Sequence, residues 1–141
     1  MVSVHQHGDG ALDVAFGGRV PLDAGSFGKA FYAWSGSPIP TKFAAFTSDS
    51  ITNPTEYKKA VVRVREDGYS TDKEEFTVGV GAVATAVTSE TGYEGLASLI
   101  GGISQMNEIG FDIAGRRLGG LAARTSFGLG DMRRLKTLGA E

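Results

Sequence analysis

The sequence predicts an α+β fold in one domain, and three observations carry that expectation. Residues 78–87 are a strand-like apolar run and residues 96–100 a second, with Ser89-Glu90-Thr91-Gly92 between them as a hairpin turn. Asn53-Pro54 opens a well-signalled helix: Asn is a strong N-cap, Pro fits the first helical position, and Glu56 suits the first turn. The elements run in the order strands, helix, helix, hairpin, helix, which points to a sheet with helices packed on it.

Element by element, residues 2–20 read as strands. Val2 and Val4, then Leu12, Val14 and Phe16, alternate with polar residues; Gly8-Asp9-Gly10 marks a hairpin and Gly17-Gly18 the next turn. Residues 22–34 read as a helix whose apolar face is Phe27, Ala30, Phe31 and Trp34, capped by Asp23 or Ser26. Pro38 and Pro40 place residues 35–41 in a loop. In the Asn53 helix, Tyr57, Ala60, Val61 and Val64 form the apolar stripe and Gly68 supplies the stop. Residues 69–75 are polar and acidic. Ile109, Ile113, Leu118 and Leu121 give a last helix, weakened by Gly110, Gly115, Gly119 and Gly120. No internal repeat or domain boundary is visible, so residues 1–130 are expected to form the domain and residues 131–141 a C-terminal tail.

Composition narrows the function classes. A chain of 141 residues, 41 % hydrophobic and 21 % charged, can bury roughly two thirds of its unfolded surface and needs no covalent staple. There is no Cys, which excludes disulfides and Cys-ligated metals and fits a reducing cytosol. Residues 1–10 hold two His and an Asp with no apolar run, so no signal peptide is expected. The least polar stretch, residues 78–87, is too short to span a bilayer. A cytoplasmic protein without membrane contact is the expectation. Net charge is −2, and the basic cluster of Arg133, Arg134 and Lys136 reads as a solvated tail, so this chain alone is not expected to grip DNA. The 21 glycines are scattered, as tight turns and close backbone approaches require.

Candidate sites each have a plain structural alternative. Gly25-Ser26-Phe27-Gly28-Lys29 is similar to a phosphate-cradling loop, but Ala30 stands where a Walker A loop needs Ser or Thr, and Asp23 replaces its leading Gly. What survives is a helix start whose exposed N–H groups either are simply capped or hold an anionic oxygen. His5, His7 and Asp9 can share one strand face and hold a metal ion, or simply lead into a turn. Asp72, Glu74 and Glu75 crowd carboxylates that serve acid–base chemistry or ligand binding, or form a solvated acidic loop. With no Cys, no Gly-x-Ser-x-Gly elbow and only two His, a catalytic triad is not expected.

Three segments, taken together, resemble the effector-binding domain of IclR-family transcriptional regulators. The run from Arg19 to Phe31 resembles that family's R-x-P-L-H-A-T-A-x-G-K-A stretch. Ser50-Ile51-Thr52-Asn53-Pro54 resembles its T-I-T-D-P helix start, and Val64 to Phe76 its V-R-x-x-G-Y-A-x-D-x-E-E segment. All three stand in the family's order and spacing, and the resemblance covers about residues 4–124. It implies a GAF-like antiparallel sheet with flanking helices, no enzymatic activity, no cofactor, a small-molecule effector and assembly as a homodimer or tetramer. By position, it places the ligand against Ser26, Phe27 and Gly28 with Asp72 as a polar contact, and lines the pocket with Val20, Val80, Ala82, Ser98 and Ile100.

The departures from the pattern shape the expected effector. Ala82 stands where some members carry Cys. Ile100 and Gly102 replace the last Ser and the Pro of an S-x-S-G-P strand, and Asp23 stands where His is common. Fewer polar groups reject wrong ligands less firmly, so a bulkier carboxylate with an apolar part is expected. The winged helix-turn-helix, the linker helix and the opening of the sensing domain are absent from this sequence, so an N-terminally truncated domain is expected. Two other function classes stay open: a dimerisation module with a vestigial pocket, and a small metal-dependent enzyme using His5, His7 and Asp9.

Overall fold

The structure, a computed structural model, describes residues 19–138. Its elements are α1 (Gly25–Trp34), α2 (Pro54–Asp67), β1 (Ser70–Lys73), β2 (Val80–Ser89), β3 (Gly92–Gly102), α3 (Ile103–Ile109) and α4 (Phe111–Leu138). Among the described residues the strands make one antiparallel sheet in the order β1-β2-β3. The α+β expectation holds.

Local chemistry sets α2 almost unaided. Asn53 Oδ1 accepts from the N–H groups of Thr55 at 2.9 Å and Glu56 at 3.1 Å. At the other end Gly68 takes φ 84° and donates to the Val64 carbonyl. The α1 helix departs from expectation at both cap and face. Ala24 is its N-cap and contributes no side-chain bond, while the Asp23 carboxylate accepts instead from the Ala44 N–H. Its buried residues are Ser26, Gly28, Lys29, Ala30, Tyr32 and Ala33, whereas Phe27, Phe31 and Trp34 are half-buried. The side of α1 that meets the sheet carries small and polar residues, and the aromatics fall at its flank, where Phe31 and Trp34 pack on Tyr32, Ala33, Tyr57, Val61 and Val64.

The polar stretch 69–75 contains strand β1. Its buried Ser70 and Asp72 are satisfied by neighbouring elements, with Ser70 Oγ donating to the Ser26 carbonyl at 2.6 Å. On the opposite face of the sheet, Val83 meets Met106, Phe111, Ala114 and Leu118. The last helix is in fact two, because Gly110 at φ 89° turns the chain between α3 and α4. Of the apolar residues expected to form its stripe only Leu118 is buried; the buried face is Phe111, Ala114, Leu118 and Ala122. Gly115 lets α4 approach so closely that a Cβ there would collide with the Tyr69 ring. Beyond that point α4 runs unbroken through residue 130, where the tail was expected to begin.

Candidate functional site

Strand register assembles most of the expected pocket residues. Asp72 pairs with Ala82, and Ala82 with Ile100, so these three form one row across the sheet. The adjacent row is Ser70, Ala84 and Ser98, and Val80 pairs with Gly102 on the other side. Alternate residues of a strand share a face, and Ser70's bond to Ser26 shows that this face is the one α1 covers. Val20, in the stretch leading to α1, is exposed, and Ser98 Oγ is spent on the Val83 carbonyl at 2.8 Å.

The Asp72 carboxylate lies at the start of α1. Its Oδ1 accepts from the Glu75 N–H at 2.7 Å, and the nearby backbone of Ser26 and Phe76 favours its charged form. Gly25, at φ 45°, is needed there twice over: L side chains rarely adopt that backbone, and a Cβ would overlap Asp72 Oδ2. The amide of Gly28 is also spoken for, by the Ala24 carbonyl at 2.9 Å. The helix start therefore already faces a carboxyl group, and it is the protein's own. An incoming carboxylate does not meet bare N–H groups at Ser26 and Gly28.

Behind Asp72 lies a buried ion pair that sequence reasoning did not single out. Lys29 Nζ bonds Glu75 Oε2 at 2.7 Å and also the Thr71 carbonyl. Its signals in the sequence were a lysine on a short helix and Glu75 in the acidic cluster. Burial pushes the Asp72 carboxyl above its usual value, against the opposing pull of the Glu75 N–H and the Lys29 charge. Burial also raises Glu75, again opposed by Lys29. The third acid parts from these two: Glu74 takes φ 62° and its carboxylate accepts from the Gly79 N–H at 2.8 Å, closing the turn into β2. Thr47 and Ser50 hold this turn from outside through the carbonyls of Glu74 and Glu75, each at 2.6 Å.

His5, His7 and Asp9 lie outside the described residues. Among the described residues no group of three His, Asp or Glu is placed to hold a metal ion, and no helix is long and apolar enough to cross a membrane.

Helices on both faces of a small antiparallel sheet define an α+β domain of the type that bacterial transcriptional regulators carry. A crystal structure of a transcriptional regulator of this type from Alicyclobacillus acidocaldarius superposes with a TM-score of 0.70 at 28 % identity, covering 85 % of this chain and 51 % of that one. The chain belongs to the IclR family: the family's description, bacterial transcriptional regulator IclR C-terminal, matches residues 4–112. It is 31 % identical over 121 residues to the HTH-type transcriptional repressor AllR of Salmonella typhi, covering 81 % of this chain and 44 % of the repressor. To the transcriptional repressor IclR of Escherichia coli it is 29 % identical over 85 residues, 56 % of this chain and 31 % of that protein. These relatives are transcriptional regulators rather than enzymes, and this chain spans less than half the length of either. The inducer-binding domain of PobR from Acinetobacter, solved as a double mutant with 3-hydroxybenzoic acid, shares the fold with a TM-score of 0.66 at 20 % identity, over 84 % of this chain and 73 % of that one.

Proposed function

We propose that this chain is the effector-sensing part of a cytoplasmic transcriptional regulator, and that its ligand lies on the α1 face of the sheet. The observation that carries the reading is the cross-strand row of Asp72, Ala82 and Ile100, which sets one buried carboxylate beside apolar wall against a helix start. The same fold in an inducer-binding domain holding a hydroxylated aromatic acid supports it.

The effector is a carboxylate with an apolar part, and the site dictates its orientation. Because the Asp72 carboxyl already stands at the α1 start, the ligand presents a hydroxyl or another donor to it. Its own carboxylate lies further off, since two facing carboxylates repel unless one is protonated. The apolar part rests on Val80, Ala82 and Ile100, with Val20, Phe27 and Ser98 at the margins. Binding there biases the geometry of a homodimer or tetramer through α1, the element that Asp72 and Lys29 tie to the sheet. DNA contact belongs to parts of the regulator outside this chain.

A thermal-shift screen of aliphatic and aromatic hydroxy acids, 3-hydroxybenzoate among them, tests the reading. A ligand at 100 times its Kd should add about 2.7 kcal/mol to stability. Ala82→Phe fills the wall while leaving Asp72 and α1 in place, so it should abolish the shift. A folded Ala82→Phe protein that binds the same acid with unchanged affinity would sink the proposal.

A further inference from the structure

On the flank of α1 that faces residues 44–51, a narrow cleft with about 10 Å³ open to a water-sized sphere is lined by Asp23, Gly25, Lys29, Phe46, Tyr57 and Glu75. Tyr57 reaches it from α2. Its side chain is 2 % exposed, yet its hydroxyl has no hydrogen-bond partner among the described residues. The phenol is admitted by the absence of a side chain at Gly28, where a Cβ would stand 2.8 Å from Tyr57 Oη. Buried polar atoms are nearly always paired, so an unpartnered hydroxyl on a cleft wall needs a companion.

We propose that this cleft holds one water molecule, bound between Tyr57 and the Lys29–Glu75 pair. The donor inventory selects that chemistry. An ammonium has three N–H donors, and Lys29 spends two, on Thr71 and on Glu75 Oε2. Among the described residues the second oxygen of Glu75 takes no hydrogen bond, and the phenol both donates and accepts. Asp23 and Glu75 against Lys29 leave one negative charge in excess, which repels an anion. A cation would face Lys29, which already neutralises Glu75. A neutral oxygen satisfies all three groups at once. Buried waters typically make about three such bonds. The cleft adjoins the proposed effector face: Gly25 and the Glu75 carboxylate border it, while the Glu75 N–H holds Asp72 at 2.7 Å.

Two measurements test this, and neither depends on knowing the effector. A high-resolution crystal structure of the unsubstituted chain grown without alcohols should show an oxygen within about 3 Å of Tyr57 Oη and of the Lys29–Glu75 pair. Soaking with propanediol should leave that water in place, and a diol hydroxyl at that position would overturn the assignment to water. An empty position overturns the proposal, and so does a phenol bonded to a protein group, whether Asp23 or one from residues 1–18. Tyr57→Phe provides an independent sign. It should lower the melting temperature if the hydroxyl is paired through the bound oxygen. A raised melting temperature, expected when an unpaired buried hydroxyl is removed, counts against the site.

Discussion

On the α4 face of the sheet, Val83 packs into Met106, Phe111, Ala114 and Leu118. On the α1 face the strands present Ser70, Asp72, Ala82 and Ala84 to a helix that answers with Ser26 and Lys29. The first contact is non-directional: any well-filled apolar surface would serve. The second depends on bonds of fixed length and angle, through Ser70, Asp72 and Lys29, so it sets where α1 lies to a fraction of an ångström. The difference separates a face that supplies stability from one that positions a helix, and the proposed effector site sits on the positioning face.

The sharpest way to break the comparison is Lys29→Met. It leaves Glu75 buried without its counter-charge, and truncating one member of a buried pair costs about 3–5 kcal/mol. Chemical denaturation would measure it, and a loss under 1 kcal/mol would mean that the polar face holds α1 only weakly. On the apolar face, Met106→Ala should cost about 3 kcal/mol through the cavity it leaves. Met106→Leu, which conserves volume, should cost less than about 1.5 kcal/mol. If Lys29→Arg is tolerated as well as Met106→Leu, the two faces are not as different as their bonds suggest.

The pH dependence of stability sharpens the contrast further, because among the described residues the buried acids lie on the α1 face. Burial raises the Asp72 and Glu75 carboxyls in the folded state above their ordinary values of 3.8 and 4.5. The folded protein thus holds protons that the unfolded chain has already released, and stability from this source falls as pH rises. It is fully present below the ordinary values and is lost as pH climbs through the raised ones. Compared with Glu75→Gln, the unsubstituted protein should therefore lose stability from about pH 4.5 upward. Parallel denaturation curves for the two proteins across that range would contradict the assignment. The smallest effect belongs to α4. Gly119→Ala, with open space around the new methyl group, should stabilise by about 0.5–1 kcal/mol, whereas Gly115→Ala should destabilise because Tyr69 fills that position.

Much of the scaffold was legible in the residues. The Asn53 cap, the Gly68 stop and the 89–92 turn are local devices whose partners lie within a few positions, and the structure places all three as read. The buried face of α1 was not legible, because its aromatic spacing drew attention to Phe27, Phe31 and Trp34 while the sheet required Ser26, Lys29 and Ala30. Strand β1 was hidden for the same reason, since a polar run looks solvated until the groups that satisfy it are known. Of the pocket residues carried over from the family pattern, Asp72, Ala82 and Ile100 meet in one row. The Lys29–Glu75 pair and the Tyr57 hydroxyl behind them were not foreseen.

The sequence by itself determined the chemistry within reach of each residue: caps, turns, the glycine that ends α2 and the family pattern in its order. Tertiary structure alone decided which side of α1 faces the sheet, and that Asp72, 47 positions further on in the chain than Gly25, lies against the helix start. The physical reason is that a buried carboxylate is tolerated only where several donors converge on it. A site built where α1 meets the 72–76 stretch, dozens of positions away, cannot be read along one chain.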